Sequence, residues 1–369
     1  MPGTGGERGR DRPAKIGPRR ARPRGRLWPS PRVRPSRRVP PVKISIGCPP
    51  GPQAVDLACR AEELGYDRIW LYDSAAIYED IWIHLARIGE ATERIGLGTA
   101  VLVPNLRHPM TTASAIATVD RLAPGRLACA VGTGYTARLV LGQGALSWKT
   151  TRTWIEQVKA LLAGEVVEID GRPCQMIHRP ELAKARPIDV PILISAFGPK
   201  GQAIAREVAD GWMGMSPPPY ETDWSVHMVN GTVLAPGESP SAPRVLDEAG
   251  PWLVGAYHMG WETNPSGLPD MPGGADWLAQ IESERDEAER HLAVHSGHCS
   301  HLNDADRKAV AAYGDAVPWW GWVGEAEAVR KRAEESAAAG TSEILYTPAG
   351  DDLLGQAETF FRAVESVQG

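Results

Sequence analysis

From Val42 onward the chain alternates short apolar runs with longer amphipathic ones. Residues 43–48 read as a strand and 53–64 as a helix that stops at Gly65, a suitable residue for the left-handed position after a helix. Residues 68–72 read as the second strand and 78–92 as a helix. Residues 95–103 give the third strand, followed by a helix over 109–122 with proline near its start. The fourth strand spans 126–131, and a helix over 149–163 is ended by Gly164. Residues 165–176, turning at Asp170-Gly171, read as an inserted hairpin.

The stretch 190–213 carries the most chemistry. A buried strand (192–195) meets a tight turn at Phe197-Gly198, and a helix opens at Pro199. Proline suits that first helical position, because its missing N–H would have had no intrahelical partner. Gly198 lets backbone approach whatever sits above the strand end. Free amides of the first helical turn point to the same place, which makes it an anion site. The pattern suggests a phosphate held at the carboxyl edge of a parallel sheet. A sixth strand follows Asp210-Gly211.

Beyond it, helical stretches are expected near 220–230 and 240–248, then an apolar strand at 252–257, taken as the seventh. A polar helical insertion covers about 276–294. Strand 321–323, helix 325–339, strand 343–346 and helix 353–367 close the chain. Such alternation implies a parallel sheet covered by helices. About eight β/α pairs over this length favour a closed (β/α)8 TIM barrel, class α/β, with insertions after strands 4 and 7.

Charge divides the chain. Residues 1–40 hold twelve Arg and Lys15 against Glu7 and Asp11, a net +11 within a total of −5, which leaves −16 for the remainder. Residues 1–41, rich in Pro and Gly and poor in aliphatic side chains, are expected to be a disordered basic arm. They lack the apolar core of a secretory signal. Residues 42–369 form the single folded domain. Its acidity argues against a nucleic-acid enzyme. Five scattered cysteines without C-x-x-C spacing fit a reduced, cytoplasmic protein. No apolar run reaches the roughly 18 residues that would span a membrane.

In a barrel of this type the site is built from loops after the strands. Asp73 after the second strand is either a general base or cofactor ligand, or a cap or loop acid. Arg107-His108-Pro109 offers a cation at the mouth, or an N-cap for the next helix. Gly132-Thr-Gly134-Tyr-Thr-Ala137 lacks the third glycine of a dinucleotide fold, yet its glycines permit close approach to a flat ring or phosphate. His258 is placed at the end of the seventh strand, as a catalytic or a structural histidine. His291, His295, His298, Cys299 and His301 resemble metal ligands, with His291 and His295 one helical turn apart. The segment offers no clean pattern of supporting acids, so no metal is expected there.

At these positions the chain resembles the bacterial luciferase-like monooxygenase superfamily, and within it the branch dependent on coenzyme F-420, a deazaflavin, that includes methylenetetrahydromethanopterin reductase. The matching text is Ala61-Glu-Glu-Leu-Gly-Tyr-Asp-Arg-Ile-Trp70, Ile95-Gly-Leu-Gly-Thr-Ala-Val101, Arg107-His-Pro109 with Thr111-Thr-Ala-Ser-Ala-Ile-Ala117, Arg121-Leu-Ala-Pro-Gly-Arg126, Ser195-Ala-Phe-Gly-Pro199 and Asp210-Gly211.

The resemblance implies a non-proline cis peptide at Ala100-Val101, forming a bulge behind the coenzyme ring. It implies coenzyme contacts from Ser74, Thr99, Ala100, Val101, Gly132, Gly134, Ala196, Phe197, Gly198 and Pro199, with Asp73, Tyr135 and His258 as catalytic candidates. It also implies a homodimer or larger homo-oligomer packed through the second and third helices. The sugar-phosphate dehydrogenase branch has a histidine where this chain has Ser74 and a glutamate where it has Tyr135, so that substrate is not expected. The activity implied is F-420-dependent hydride transfer to or from a small organic substrate. The Ala-Phe-Gly-Pro turn, which leaves a phosphate little beyond backbone amides, favours F-420 over FMN. The alternatives are an FMN monooxygenase, which would need a partner reductase to supply reduced flavin, and a non-catalytic flavin-binding barrel.

Overall fold

Eight parallel strands close on themselves in sequence order: Lys43–Cys48, Arg68–Leu71, Gly96–Leu102, Leu127–Val131, Ile192–Ser195, Gly211–Gly214, Ser225–Val229 and Glu343–Tyr346. The first pairs with both the second and the eighth, which shuts the ring. The structure is a computed structural model that describes residues 41–368; the expected basic arm, apart from its last residue, lies outside them.

Alternation along each strand separates two cores. Ile44, Ile46 and Cys48 join Leu57, Leu85, Ile116, Ile155 and Phe360 in the large core between strands and helices. The barrel interior is filled by Trp70, Ala128, Ala130, Leu193, Met213, Val226 and Leu345. Small residues make room for the large ones: a Cβ on Gly98 would lie 2.2 Å from the Trp70 ring. The floor of the barrel is polar. Buried Glu343 accepts from Ser45 Oγ (2.5 Å), Trp70 Nε1 (2.8 Å) and Trp224 Nε1 (2.8 Å).

The helices start and stop where local chemistry dictates. The Ala54–Leu64 helix ends on Gly65 at φ 100°, the left-handed conformation glycine adopts freely. Asp80 caps the Ile81–Ala91 helix, accepting from the amides of Trp82 and Ile83. The hairpin Val167–Ile169/Arg172–Cys174 stands before the fifth strand, as expected.

Between the seventh and eighth strands sits the larger insertion, with helices Pro243–Leu253, Gly255–Thr263, Gly274–Glu284, Arg290–Val294 and Asp304–Ala311. It has its own core around Tyr257, Leu268, Trp277, Ile281, Val294 and Val310.

Three sequence expectations are corrected here. The seventh strand is Ser225–Val229, where a helix was expected over 220–230. Its polar residues find buried partners: Ser225 Oγ donates to the Gly340 carbonyl at 2.9 Å, and His227 Nδ1 lies 2.7 Å from Ser336 Oγ. Residues 252–257, expected as that strand, belong to two helices and are apolar because they centre the insertion's core. The strand expected at 321–323 is instead Gly324–Glu325, which pairs with Val233–Leu234 outside the barrel. Among the described residues no helix is long and apolar enough to cross a membrane.

Candidate active site

The peptide Ala100–Val101 is cis, within a register shift between Thr99 and Leu102 of the third strand. Gly132, at the end of the fourth strand, faces that bulge: a Cβ there would sit 2.8 Å from Val101 Cγ2. Gly134 takes φ 81°, and a Cβ on it would fall 2.3 Å from Val103 Cγ1. The two glycines therefore let the loop after the fourth strand lie directly against the bulge. Thr99 is fully buried and donates to the Ala130 carbonyl at 3.1 Å, so its hydroxyl belongs to the barrel wall rather than to the open mouth.

Across the mouth, the Pro199–Val208 helix begins at Gly198, which has no side-chain cap. Gly198 has an ordinary extended backbone (φ −96°), so its value is not torsional freedom; nothing lies within 4 Å of where its Cβ would be. The first helical bond is made by the Gln202 amide to the Gly198 carbonyl (3.1 Å), which leaves the preceding amides without intrahelical partners. Phe197 is 65% exposed beside it, whereas buried Ala196 accepts from Trp212 Nε1 at 3.0 Å. This is an open, anion-ready seat.

Asp73 is buried, and both its oxygens accept from Arg107 Nη1, at 2.7 and 2.9 Å. Arg107 Nη2 reaches Asp80 Oδ2 at 2.8 Å. Burial raises the Asp73 carboxyl above the usual carboxylate range, while Arg107 pulls it down. The residue is thus held as a partner of Arg107 that ties the loops after strands two and three. Asp80 was not singled out in the sequence, although an acid just before the apolar run Ile81-Trp82-Ile83 is a helix-start signal. His108 does cap the following helix, its Nδ1 accepting from the Met110 amide at 3.1 Å. Ser74 is buried, and its carbonyl accepts from the Ile77 and Tyr78 amides.

Tyr135 opens the short helix Tyr135–Leu139, and its hydroxyl donates to Met259 Sδ at 2.8 Å. Burial first, then the Glu262 carboxylate, raises its pKa, so it stays protonated and able to donate. Tyr72, missed in the sequence, directly follows the second strand and has a buried hydroxyl without a partner.

His258 is not at a strand end. It lies in the Gly255–Thr263 helix, fully buried, with Nδ1 2.6 Å from His298 Nδ1 and Nε2 3.3 Å from Asp306 Oδ1. The structure unites it with His295 and His298 but not with His291 or His301, and His301 instead lies 3.2 Å from the Asp351 carboxylate. Burial lowers His295 to about 3 and His298 well below the ordinary value, so both rings are neutral. The insertion reaches the mouth loops through Tyr78 Oη to the His298 carbonyl (2.6 Å) and Thr136 Oγ1 to His298 Nε2 (3.1 Å).

Comparison with known proteins matches this architecture. The chain is 33% identical over 171 residues to the F420-dependent glucose-6-phosphate dehydrogenase of Beutenbergia cavernae, covering 42% of this chain and 49% of that protein. It is 30% identical over 184 residues to the 5,10-methylenetetrahydromethanopterin reductase of Methanolobus tindarius, covering 49% and 55%. The chain spans about half the length of the curated relatives it matches. Among solved structures, the coenzyme F420 dependent tetrahydromethanopterin reductase from Methanopyrus kandleri superposes with TM-score 0.60 at 18% identity, over 89% of this chain and all of the other. The oxygenating constituent of 3,6-diketocamphane monooxygenase from Pseudomonas putida, solved with FMN, superposes with TM-score 0.53 at 12% identity, over 89% and 97%. These last two show the fold alone. The profile of the luciferase-like monooxygenases matches residues 33–250, more than half the sequence, and the chain belongs to that family.

Proposed function

We propose that this chain is a deazaflavin-dependent oxidoreductase in which coenzyme F-420 lies across the barrel mouth and serves a small organic substrate. One observation carries the reading: the bulge between Thr99 and Leu102, against which Gly132 lets the next loop pack, borders a mouth that also holds an uncapped helix start with open space above Gly198. Such a mouth suits a flat ring with an anionic tail. Ala100, Val101, Gly132 and Gly134 would back the ring. Ala196, Phe197, Gly198 and Pro199, with the amides that follow, would hold the tail.

When bound, the coenzyme would supply a hydride carrier that oxygen does not readily intercept. The chain's own part is binding, orientation and exclusion of water. Tyr135 is the proton donor at the mouth, since Asp73 is engaged by Arg107 and His258 is sealed in the insertion. The F420-dependent relatives support the cofactor assignment. Ser74 and Tyr135, in place of the pair expected for a sugar-phosphate dehydrogenase, favour a different substrate. A homodimer packed through the second and third helices is part of the proposal, supported by Ile83, 62% exposed on the Ile81–Ala91 helix.

Fluorescence titration of the purified protein with F-420 and with FMN tests the reading. Tighter binding of F-420, with anaerobic turnover of its reduced form, supports it. Turnover only with reduced FMN and oxygen replaces it with a monooxygenase.

A further inference from the structure

Three histidines from two segments of the insertion each bring a ring nitrogen into one small cluster. Nitrogens of His258, His295 and His298 lie within 4.8 Å of one another, and all three residues are buried. The outward nitrogens identify the inward ones. His258 Nε2 faces Asp306 Oδ1 at 3.3 Å, His295 Nε2 faces Glu262 Oε1 at 3.2 Å, and His298 Nε2 faces Thr136 Oγ1 at 3.1 Å. A carboxylate accepts only, so His258 and His295 carry their protons on Nε2, and their Nδ1 lone pairs are bare.

His258 Nδ1 lies 2.6 Å from His298 Nδ1. A proton on His298 Nδ1, with Thr136 donating to its Nε2, would satisfy that pair alone. It would leave His295 Nδ1 stranded, buried and without a partner. A cation at the centre satisfies all three lone pairs at once.

We propose that His258, His295 and His298 bind one divalent transition ion of the zinc class through their Nδ1 atoms, with water as the fourth ligand. Neutral imidazoles suit Zn²⁺, Co²⁺ or Ni²⁺, whereas Mg²⁺ and Ca²⁺ require oxygen ligands that these rings do not offer. Metal–nitrogen bonds of about 2.0–2.1 Å place ligand nitrogens roughly 3.3 Å apart in a tetrahedron, a spacing bracketed by the 2.6 and 4.8 Å observed. The supporting shell is built. Asp306 is oriented by Trp277 Nε1 (2.9 Å) and accepts from the amide of Asn303, the N-cap of its helix, and with Glu262 it would balance the ion's two charges. Carboxylates behind ligating histidines are the usual support of such sites. The ion would knit the Gly255–Thr263 helix to residues 295–298 and, through Thr136 and Tyr78, anchor the insertion over the barrel mouth.

The test uses full-length, tag-free protein stripped with chelator and titrated with Co²⁺. One equivalent should bind, with the visible absorption of a nitrogen-ligated, low-coordinate ion, and one equivalent of Zn²⁺ should displace it. His295→Gln and His298→Gln should each weaken binding by at least ~100-fold, and Asp306→Asn by ~10–100-fold. His301→Gln, outside the cluster, should leave it unchanged. Binding of less than about 0.1 equivalent to the wild-type chain overturns the proposal, as does unaltered affinity in a folded His295→Gln protein. The wild-type titration decides the matter even if a variant fails to fold.

Discussion

Arg107 grips both carboxylate oxygens of Asp73 through one nitrogen, and extends the other to Asp80. An acid so held is a strut between mouth loops rather than a free base. Asp73→Asn should therefore lower turnover with F-420 by less than ~10-fold, against the ~10²–10⁴-fold loss expected of a general base. Arg107→Met should instead destabilise the fold by about 3–5 kcal/mol, because it strands a buried carboxylate. Chemical denaturation and steady-state kinetics on the two variants separate these roles. A 10³-fold loss of kcat in Asp73→Asn with stability intact would restore Asp73 as the base.

Gly98 and Trp70 divide one space inside the barrel. Gly98→Ala should destabilise by about 1–3 kcal/mol or more, since its new methyl meets the indole at 2.2 Å. Trp70→Phe in the same chain should recover part of that loss. It removes the overlapping ring, while Ser45 and Trp224 still serve Glu343. A double-mutant cycle read by thermal melting checks it: strictly additive effects would mean the two side chains do not share the space.

Most of the barrel was legible because its strands are continuous apolar runs bounded by glycine or proline. The seventh strand escaped because Ser225 and His227 make it read as polar; only folding brings Ser336 and the Gly340 carbonyl to them. The run 252–257 misled for the opposite reason, as it is the apolar heart of an insertion with its own core. The glycines at 132, 134 and 198 were legible as sites of close approach. Their actual neighbours, Val101, Val103 and open space, were not. The histidine cluster was half visible. His295 and His298 stand together in the chain, but His258 lies 40 positions before His298, and the acids Glu262 and Asp306 come from flanking helices.

His227 makes the fold sensitive to mild acid. Burial holds its pKa down at about 4, against about 6.5 when unfolded. The folded state thus binds fewer protons than the unfolded one between these values. Stability is unaffected above pH ~6.5 and falls as pH drops toward 4, where the loss reaches about 3 kcal/mol. His227→Asn cannot titrate and can still meet Ser336. Its stability relative to wild type should rise steadily from pH 6.5 to 4, read from denaturation midpoints. Parallel pH profiles for the two proteins would show that His227 is not protonated on unfolding.

Gly132 and Gly198 both border the proposed coenzyme seat, yet they should fail differently when enlarged. A Cβ on Gly132 meets Val101 at 2.8 Å, so Gly132→Ala must push the bulge or its own loop. It should lower thermal stability and F-420 affinity together. A Cβ at Gly198 meets nothing within 4 Å and the backbone conformation is open to valine, so Gly198→Val should cost the fold little beyond the weaker N-cap. What the valine fills is the space above the helix start, where the anionic tail would lie. Affinity for F-420, measured by fluorescence, should drop at least ~10-fold, the loss of about one charge-assisted hydrogen bond. If Gly198→Val binds F-420 as tightly as wild type while remaining folded, the tail does not sit at this helix and the seat must be sought elsewhere on the mouth.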